Sequence, residues 1–511
     1  MKERWILLLR FLPAVIFCGF LSFGEAVPAL WWNAVVMICA VYLIDAVLSK
    51  WMKGKPPVGR LLLSLALFFL YLFAAAAIPN SISVPLSKPA GTVEVRGNTV
   101  GEERARLVTT NQEALEQRLR MIDEAQTSIV LNTFEWYPDH SGTDVMAALY
   151  HAADRGVQVR ILVDGFTAAM GLDTDPAFCA LAAHRGVEVK VYNRLNLLLP
   201  WRSANRMHEK YLIIDDACYL LGGRNTSDLF LGSYPVSRTN DDMEVLVWQP
   251  SAAPEGSLSQ LRAYFEAMWA QRYCTAFAGH RGAEARLCAA YETLQTENEA
   301  YFTPYDYPAQ TSPTRRVTLF AGPTVPVKKE PVLFYELSSL MQSARERVIV
   351  HTPYAICNKP MYEELTKIAS GVPRAELMLN SPQNGANLFG SSDYLTQKAK
   401  LLRTGFSLYE YNGGSSYHGK LILIDRDISL VGSFNIDMRS AYLDTELMAV
   451  IHSEEINQQL EACMAQTRLT CSQVLTPTEY VPGGTVPELG WKKTLFYDVL
   501  KVVSYPLRHL L

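Results

Sequence analysis

The sequence predicts an α/β protein made of two similar layered halves that follow a group of apolar N-terminal helices. Three observations lead to this prediction. A motif of fixed spacing occurs twice, 210 residues apart; helix and strand patterns alternate around each copy; and three long apolar runs precede the first copy. Such alternation is typical of domains in which helices cover a sheet.

The apolar runs occupy residues 5–23, 30–48 and 61–78. Each run is long enough to cross a hydrocarbon core of ~30 Å as a helix. We therefore expect residues 1–80 to form a transmembrane region of two or three helices. A signal peptide is the alternative interpretation of the first run, because Lys2 and Arg4 precede it, but two further apolar runs follow.

Charge predicts the orientation of these helices. The loop before the last run is basic, with Lys50, Lys53, Lys55 and Arg60, whereas the first loop contains only Glu25. Basic loops remain on the cytoplasmic side of a membrane. Because the basic loop directly precedes the last run, we expect a multi-pass protein of the cell membrane whose catalytic region lies outside the cytoplasm.

The rest of the chain divides into a linker, two halves, a region between them and a tail. We place these segments at residues 81–110 (linker), 111–250 (first half), 251–330 (connecting region), 331–475 (second half) and 476–511 (tail). Both halves alternate helices with strands; the predicted helices are 112–125, 143–155, 175–185, 332–344, 359–369 and 391–403. The strands between them are 128–134, 157–163, 187–192, 348–354, 375–380 and 407–411.

Two of these segments have an expected role. We expect the connecting region, which has a helical pattern at residues 258–271, to cover the site or its membrane-facing mouth. The tail has apolar residues at helical spacing among basic ones. This pattern fits a helix in the membrane interface, but a helix that closes over the core is the slightly favoured alternative. The local cysteine pairs Cys274/Cys288 and Cys463/Cys471 fit either disulfides or free thiols.

The repeated motif reads H-x-K-x4-D-x6-G-(G/S)-x-N. Its two copies contain His208, Lys210, Asp215, Gly223 and Asn225, and then His418, Lys420, Asp425, Ser433 and Asn435. A single H-x-K-x4-D arises easily by chance, but two copies with the same extension do not. Two facing histidines can break a phosphodiester, since one attacks phosphorus while the other protonates the departing oxygen. We expect each half to supply one of them.

The lysines and the asparagines of the motif suit the same chemistry. Lys210 and Lys420 lie two residues after the histidines, on the same side of an extended strand, and can neutralise charge that develops on the phosphoryl oxygens. We expect Asn225, Asn435 and Ser433 to bind those oxygens by hydrogen bonds. Ser433 has no counterpart in the first half, where Gly223 takes its place.

Carboxylates complete the set of candidate residues. Glu244 and Glu446 lie in the next strand of each half, and either can accept the second N–H of an imidazole and fix its tautomer. Asp215 and Asp425 belong to the candidate catalytic set by their place in the motif. Each ends a strand, however, so a structural role in the turn is an equal alternative.

The doubled motif and its flanks resemble the phospholipase D superfamily, and bacterial cardiolipin synthases within it. The segments that carry this resemblance are Arg206-Met207-His208-Glu209-Lys210, Leu221-Gly222-Gly223-Arg224-Asn225, Gly432-Ser433-Phe434-Asn435-Ile436-Asp437-Met438-Arg439-Ser440 and Thr445-Glu446. Further support comes from Asn132-Thr133-Phe134-Glu135 and His351-Thr352-Pro353-Tyr354. The resemblance covers about residues 110 to 475. It implies a pseudo-symmetric pair of α-β-α layered domains with the site between them.

The resemblance also implies phosphatidyl transfer. A phosphatidyl group would pass through a phosphohistidine from phosphatidylglycerol or phosphatidylethanolamine to the glycerol hydroxyl of phosphatidylglycerol, without a cofactor or a metal ion. The expected partners are these phospholipids and the membrane. Two alternatives remain, namely a phospholipase D that releases phosphatidic acid and an extracytoplasmic nuclease. A net charge of −4 argues against nucleic acid as a partner.

Overall fold

The computed structural model describes residues 29–54, 56–82, 84–87, 94–251, 253–483 and 488–511. The helices of the N-terminal region and the first half are α1 (Ala29–Trp51), α2 (Pro57–Ser81), α3 (Asn111–Glu124), α4 (His140–Asp154), α5 (Gly165–Ala169), α6 (Pro176–Ala182) and α7 (Pro200–Ser203). Those that follow are α8 (Ser257–Trp269), α9 (Glu284–Glu297), α10 (Tyr307–Gln310), α11 (Val332–Gln342), α12 (Lys359–Gly371), α13 (Leu388–Leu402), α14 (Met438–Tyr442), α15 (Glu454–Arg468) and α16 (Trp491–Ser504).

The strands alternate with these helices as the sequence predicts. Up to the middle of the chain they are β1 (Arg104–Val108), β2 (Ser128–Thr133), β3 (Gln158–Asp164), β4 (Val187–Tyr192), β5 (Lys210–Ile214), β6 (Cys218–Gly222), β7 (Asn240–Asp241), β8 (Glu244–Trp248), β9 (Cys274–Phe277) and β10 (Ser312–Pro313). Beyond it they are β11 (Arg316–Ala321), β12 (Arg347–His351), β13 (Ala355–Ile356), β14 (Arg374–Asn380), β15 (Ser407–Tyr411), β16 (Ser416–Tyr417), β17 (Leu421–Ile424), β18 (Ile428–Gly432), β19 (Ile436–Asp437), β20 (Leu447–His452) and β21 (Cys471–Gln473).

Eight strands follow the same order in the two sheets, and the first sheet has β10 as an additional edge strand, which confirms the pseudo-symmetric pair. In the described part of the chain, the first sheet has the order β10-β1-β8-β6-β5-β2-β3-β4-β9. The second has the order β11-β20-β18-β17-β12-β14-β15-β21. In each sheet the strands joined by helices run parallel, whereas the two strands that follow the motif histidine form an antiparallel hairpin.

Each sheet has helices on both faces. The outer face of the first sheet packs against α3, α4 and α6, and that of the second packs against α11 and α12. The inner faces share one hydrophobic core with α8 and α15, to which both halves contribute. This shared core holds the two motif hairpins against each other. Burial on this scale is the main force that stabilises the pair.

Two apolar helices precede the first half. Residues 33–51 of α1 and the whole of α2 are long and apolar enough to cross a membrane. The first predicted run, residues 5–23, lies outside the described residues. The ends of the helix pair that lie away from the basic loop contact the catalytic body, since Asn33 Nδ2 donates to Leu195 O at 2.9 Å and Asn80 Nδ2 to Trp201 O at 3.2 Å.

The segments expected to be a linker and a connecting region belong to the sheets instead. The 81–110 segment supplies β1, which pairs with β8. The 251–330 region supplies β9 and β10 to the first sheet and β11 to the second, and it contributes Leu287, Tyr291 and Leu294 to the first core. None of its described residues lines the cavity described below. Cys274, Cys288, Cys463 and Cys471 are free thiols.

Asp215 and Asp425 hold turns, and the candidate catalytic role is wrong for both. Each adopts a left-handed backbone with φ of 49° in the turn of a motif hairpin. The Asp215 carboxylate accepts from the backbone N–H groups of Gln126, Thr127 and Ser128 at 3.0, 2.8 and 2.8 Å. It lies seven residues beyond His208, about 20 Å along an extended strand, and cannot reach the same phosphate.

We expect Asp215→Asn to lower the free energy of unfolding by about 1–3 kcal/mol, because the carboxylate loses charge-assisted hydrogen bonds while Asn still tolerates positive φ. Asp216→Asn is the control, since the next side chain is 70% exposed and forms only a surface ion pair with Arg262. Denaturant titration in detergent micelles measures both. Equal stability of the two variants would contradict the role of Asp215 in the turn.

Candidate active site

The two motif histidines open into one cavity between the halves. His208 precedes β5, His418 lies between β16 and β17, and both line a cavity of about 310 Å³. Their side chains are 13% and 21% exposed. Each ring packs edge-on against a phenylalanine, Phe134 for His208 and Phe230 for His418, with centroid distances of 5.3 and 4.9 Å. The sequence predicted that the two imidazoles share one site, and in the structure both line the same cavity.

Each histidine is held by the opposite half. His208 Nδ1 lies 2.9 Å from Glu446 Oε1, and His418 Nδ1 lies 2.6 Å from Asp242 Oδ2. Backbone hydrogen bonds cross between the halves in the same way, because His208 N–H donates to Thr445 O and His418 N–H donates to Asp241 O. An imidazole that donates from Nδ1 to a carboxylate keeps its lone pair on Nε2. Both rings therefore present a basic nitrogen to the cavity.

The carboxylate that partners His418 is Asp242, and the prediction of Glu244 was wrong. Glu244 forms a buried ion pair with Arg118, at 2.7 and 2.5 Å. The strand register gives the reason. Gly222 pairs with Glu244, but Gly432 pairs with Met448, so the counterpart of Glu446 lies two residues before Glu244. An offset of two residues keeps the alternation of a strand, so the sequence pattern could not reveal it.

Ser433 contacts Glu446, and its role in binding phosphate stays a prediction. Ser433 Oγ donates to Glu446 Oε2 and accepts from Leu447 N–H at 3.1 Å, and Ser440 Oγ donates to Glu446 Oε1 at 2.7 Å. In the first half a Cβ at Gly223 would lie 2.5 Å from Asp242 Oδ2. In each half, the residue after the first motif glycine therefore suits the carboxylate of that half. Gly223 leaves room for Asp242, and Ser433 donates to Glu446.

The motif lysines are buried beside the histidines. Lys210 Nζ donates to the carbonyl of His208, and Lys420 Nζ lies 3.2 Å from Nε2 of His418. Burial lowers the pKa of Lys210 below its ordinary value, and it lowers the pKa of Lys420 to about 7. Burial and the adjacent lysine also lower the pKa of each imidazole, that of His418 to about 3. Both imidazoles are neutral at pH 7 in the free protein.

The two oriented carboxylates have different affinities for a proton. Burial raises the pKa of Glu446 to about 7, against the effect of Lys210. Burial also acts on Asp242, but Lys420 and the His418 hydrogen bond outweigh it and hold its pKa at about 2. Asp242 is ionised at neutral pH, whereas Glu446 holds a proton more readily. An ionised partner stabilises an imidazolium, so His418 accepts a proton more readily when a bound anion adds its charge.

Asn225 lines the cavity, and each motif asparagine has a side-chain hydrogen-bond partner. Asn225 Nδ2 donates to Glu135 Oε2 at 2.7 Å, and Asn435 Nδ2 donates to Tyr354 Oη at 3.4 Å. An amide nitrogen carries two N–H groups, so one of each pair remains for an anion. Burial raises the pKa of Glu135, against the effect of Lys210. Glu135 is the only carboxylate among the described residues that line the cavity.

Glu135 and Tyr354 occupy equivalent positions. Each stands three residues after the residue that pairs across to the motif strand, because Asn132 pairs with Tyr211 and His351 with Leu421. The signal in the sequence was their place directly after the first strand of each half.

Among the described residues, no group of three or more His, Cys, Asp and Glu side chains could hold a metal ion.

Comparisons with known proteins show which family and which proteins this chain resembles. The family described as cardiolipin synthase, PLD-like domain, matches residues 119–269 and 337–468. Cardiolipin synthase A of Edwardsiella ictaluri is 25% identical over 490 residues, which cover 93% of this chain and 88% of that protein. Cardiolipin synthase C of Escherichia coli is 25% identical over 411 residues, covering 70% and 83%.

A solved structure shares the fold. The phosphatidylserine synthase of Haemophilus influenzae superposes with a TM-score of 0.58 at 13% sequence identity, and the match covers 86% of this chain and 100% of that one. At this identity the likeness supports the fold and nothing further.

Acid should destabilise the protein through its buried histidines. In the unfolded chain a histidine takes up a proton near pH 6.5, but His418 does so only near pH 3 when folded. Stability present above pH 6.5 is therefore lost as the pH falls towards 3. We expect His418→Gln to flatten that loss in thermal unfolding measured over a pH series.

His140→Gln is the control for that pH series. Asp228 raises the pKa of His140, which is exposed. Replacement of His140 should therefore leave the loss of stability in acid at least as steep as in the wild type. An unchanged pH dependence in His418→Gln would contradict the neutral, buried imidazole.

Proposed function

Since the chain belongs to the family described as cardiolipin synthase, PLD-like domain, and is an enzyme that acts on phospholipids, we propose that it transfers a phosphatidyl group from a glycerophospholipid to phosphatidylglycerol. The observation that carries this proposal is the pair of imidazoles that share one cavity, each with its Nδ1 against a carboxylate of the opposite half. The two apolar helices support a substrate in the membrane.

In the first step Nε2 of His208 attacks phosphorus, and the bond from phosphorus to the departing alcohol oxygen breaks. His418 gives its proton to that oxygen. The asymmetry of the carboxylates supports this assignment, because ionised Asp242 stabilises the protonated form of His418 while Glu446 is less charged. The anionic phosphodiester raises the pKa of the imidazoles when it binds, so the substrate helps to create its own acid.

In the second step neutral His418 takes the proton of the acceptor's glycerol hydroxyl, whose oxygen attacks phosphorus. The bond between phosphorus and His208 breaks, and both histidines return to their first state. Lys210 and Lys420 stabilise the charge on the phosphoryl oxygens in both transition states. Water at the same position would make the enzyme a hydrolase, so the choice between transfer and hydrolysis depends on how well the acceptor lipid displaces water.

Cardiolipin and free glycerol are the products we expect from phosphatidylglycerol alone, in equal amounts and without ATP. The bond broken and the bond formed are nearly equivalent, so added glycerol should drive the reaction backwards. Mass spectrometry of lipids after incubation with the purified enzyme checks this. Phosphatidic acid as the main product would identify a hydrolase, and cleavage of single-stranded DNA without lipid turnover would identify a nuclease.

We expect His208→Ala and His418→Ala each to abolish turnover, by about four orders of magnitude or more, because each removes one partner of a covalent mechanism. Chelators should have no effect. His418→Ala should accumulate the phosphatidyl adduct on His208, detectable by mass spectrometry of peptides. Adduct that appears in His208→Ala instead would reverse the two roles, and activity lost in EDTA and restored by a divalent ion would contradict the metal-free mechanism.

The catalytic body lies outside the cytoplasm in this proposal. The basic loop at residues 50–60 supports it, and so do the contacts of Asn33 and Asn80 with the body at the opposite ends of the two helices. An impermeant protease added to spheroplasts should digest the region after residue 80. Protection of that region until the membrane is lysed would show the opposite orientation.

A further inference from the structure

The C-terminal helix α16 has its apolar side turned away from the protein. Trp491, Leu495, Phe496, Val499, Val502 and Val503 form one continuous stripe, and each is between 47% and 76% exposed. We call these six residues the outer stripe. A helix that simply closes a soluble domain would bury such a stripe and expose its polar side. In α16 the apolar side is exposed instead, and contiguous exposed apolar surface is typical of an interaction site.

The opposite side of α16 fixes the helix to the second half. The buried Tyr497 donates from Oη to Pro382 O at 2.8 Å, and Lys493 Nζ donates to Gln383 O at 2.8 Å. Ser504 is also buried on this side. The helix is therefore held in a defined orientation, so the outer stripe is presented to the surroundings by the fold itself.

The segment after α16 connects it to the apolar N-terminal helices. His509 Nε2 lies 2.8 Å from Ala77 O, in the last part of α2, and Arg508 Nη2 lies 3.0 Å from Asp393 Oδ2. Because α2 has the length and composition of a membrane span, its end at Ser81 lies at the bilayer surface. The outer stripe therefore ends close to a segment that is anchored at that level.

The helix α16 also packs beside the rim of the catalytic cavity. Pro382 and Gln383, which bind α16, directly precede the segment 385–391 that lines the cavity. At the start of α13 two further apolar residues, Leu388 and Phe389, are 41% and 45% exposed. Exposed apolar side chains therefore lie both on α16 and at the start of α13, whose first turn lines the cavity.

We propose that α16 is an in-plane membrane helix whose outer stripe lies in the interface of the bilayer and seats the cavity rim on the lipid surface. The partner is the bilayer that contains the substrate, and this part rests on the proposed function. Lys492, beside the ring of Trp491 at 5.6 Å, can reach anionic headgroups from the edge of the stripe. The phosphodiester of a bilayer lipid then meets the cavity at headgroup depth.

Quenching of Trp491 fluorescence tests where the helix lies. The full chain is reconstituted in vesicles of phosphatidylglycerol brominated on its acyl chains, and the emission of Trp491 is obtained as the difference between the wild type and Trp491→Phe. We expect bromine to quench that difference. The matched control is Trp248→Phe, whose ring stacks on Tyr307 in the first half and should be unquenched. An unquenched Trp491 would overturn the proposal and leave a second copy or residues 1–28 as the cover.

Turnover tests the consequence. Val499→Glu combined with Val502→Glu should lower turnover of long-chain phosphatidylglycerol in vesicles by about tenfold or more, while turnover of a short-chain, monomerically dispersed phosphatidylglycerol stays unchanged. Leu469→Glu, on an exposed leucine of the second half away from α16, is the control for an added charge. An equal effect on both substrates would overturn the proposal. Absence of turnover in the wild type would refute the proposed function, whereas the quenching experiment would still locate the helix.

Discussion

The site depends on hydrogen bonds that cross between the halves. Glu446 reaches His208 and Asp242 reaches His418, so neither imidazole has its tautomer set by its own domain. The shared core of the inner sheet faces, together with the backbone bonds at Thr445 and Asp241, holds these contacts in register. A half on its own would lack the carboxylate that orients its histidine. Duplication is in this sense a requirement of the chemistry.

The same crossing makes the two halves unequal. Asp242 is short and sits against Gly223, while Glu446 is longer and accepts from Ser433 and Ser440. Because the two carboxylates hold a proton with different strength, the two histidines can perform different roles in a nearly symmetric frame. Glu135 and Tyr354 add a second asymmetry at equivalent positions, since one asparagine donates to a carboxyl and the other to a phenol.

The sequence predicted much of this arrangement, since the motif spacing and the helix–strand alternation are local properties of the chain. It singled out Glu446, which lies directly before β20 and contacts His208. It missed Asp242, because a register offset of two residues preserves strand alternation and only the paired strands define it. It did not show the contact of Ser433 with Glu446 for a similar reason, since the partner of a turn residue depends on the next strand. The short strands Cys274–Phe277 and Ser312–Pro313 carry too little periodicity to show that the connecting region belongs to the first sheet.

The most direct test of the crossed arrangement compares kcat in Asp242→Asn and Glu244→Gln. If Asp242 orients His418, Asp242→Asn should lower kcat by about 100-fold or more while the protein stays folded. Glu244→Gln breaks the buried pair with Arg118 and should cost about 3–5 kcal/mol of stability, yet leave kcat of the folded enzyme largely unchanged. Full activity in Asp242→Asn, or loss of kcat confined to Glu244→Gln, would contradict the account.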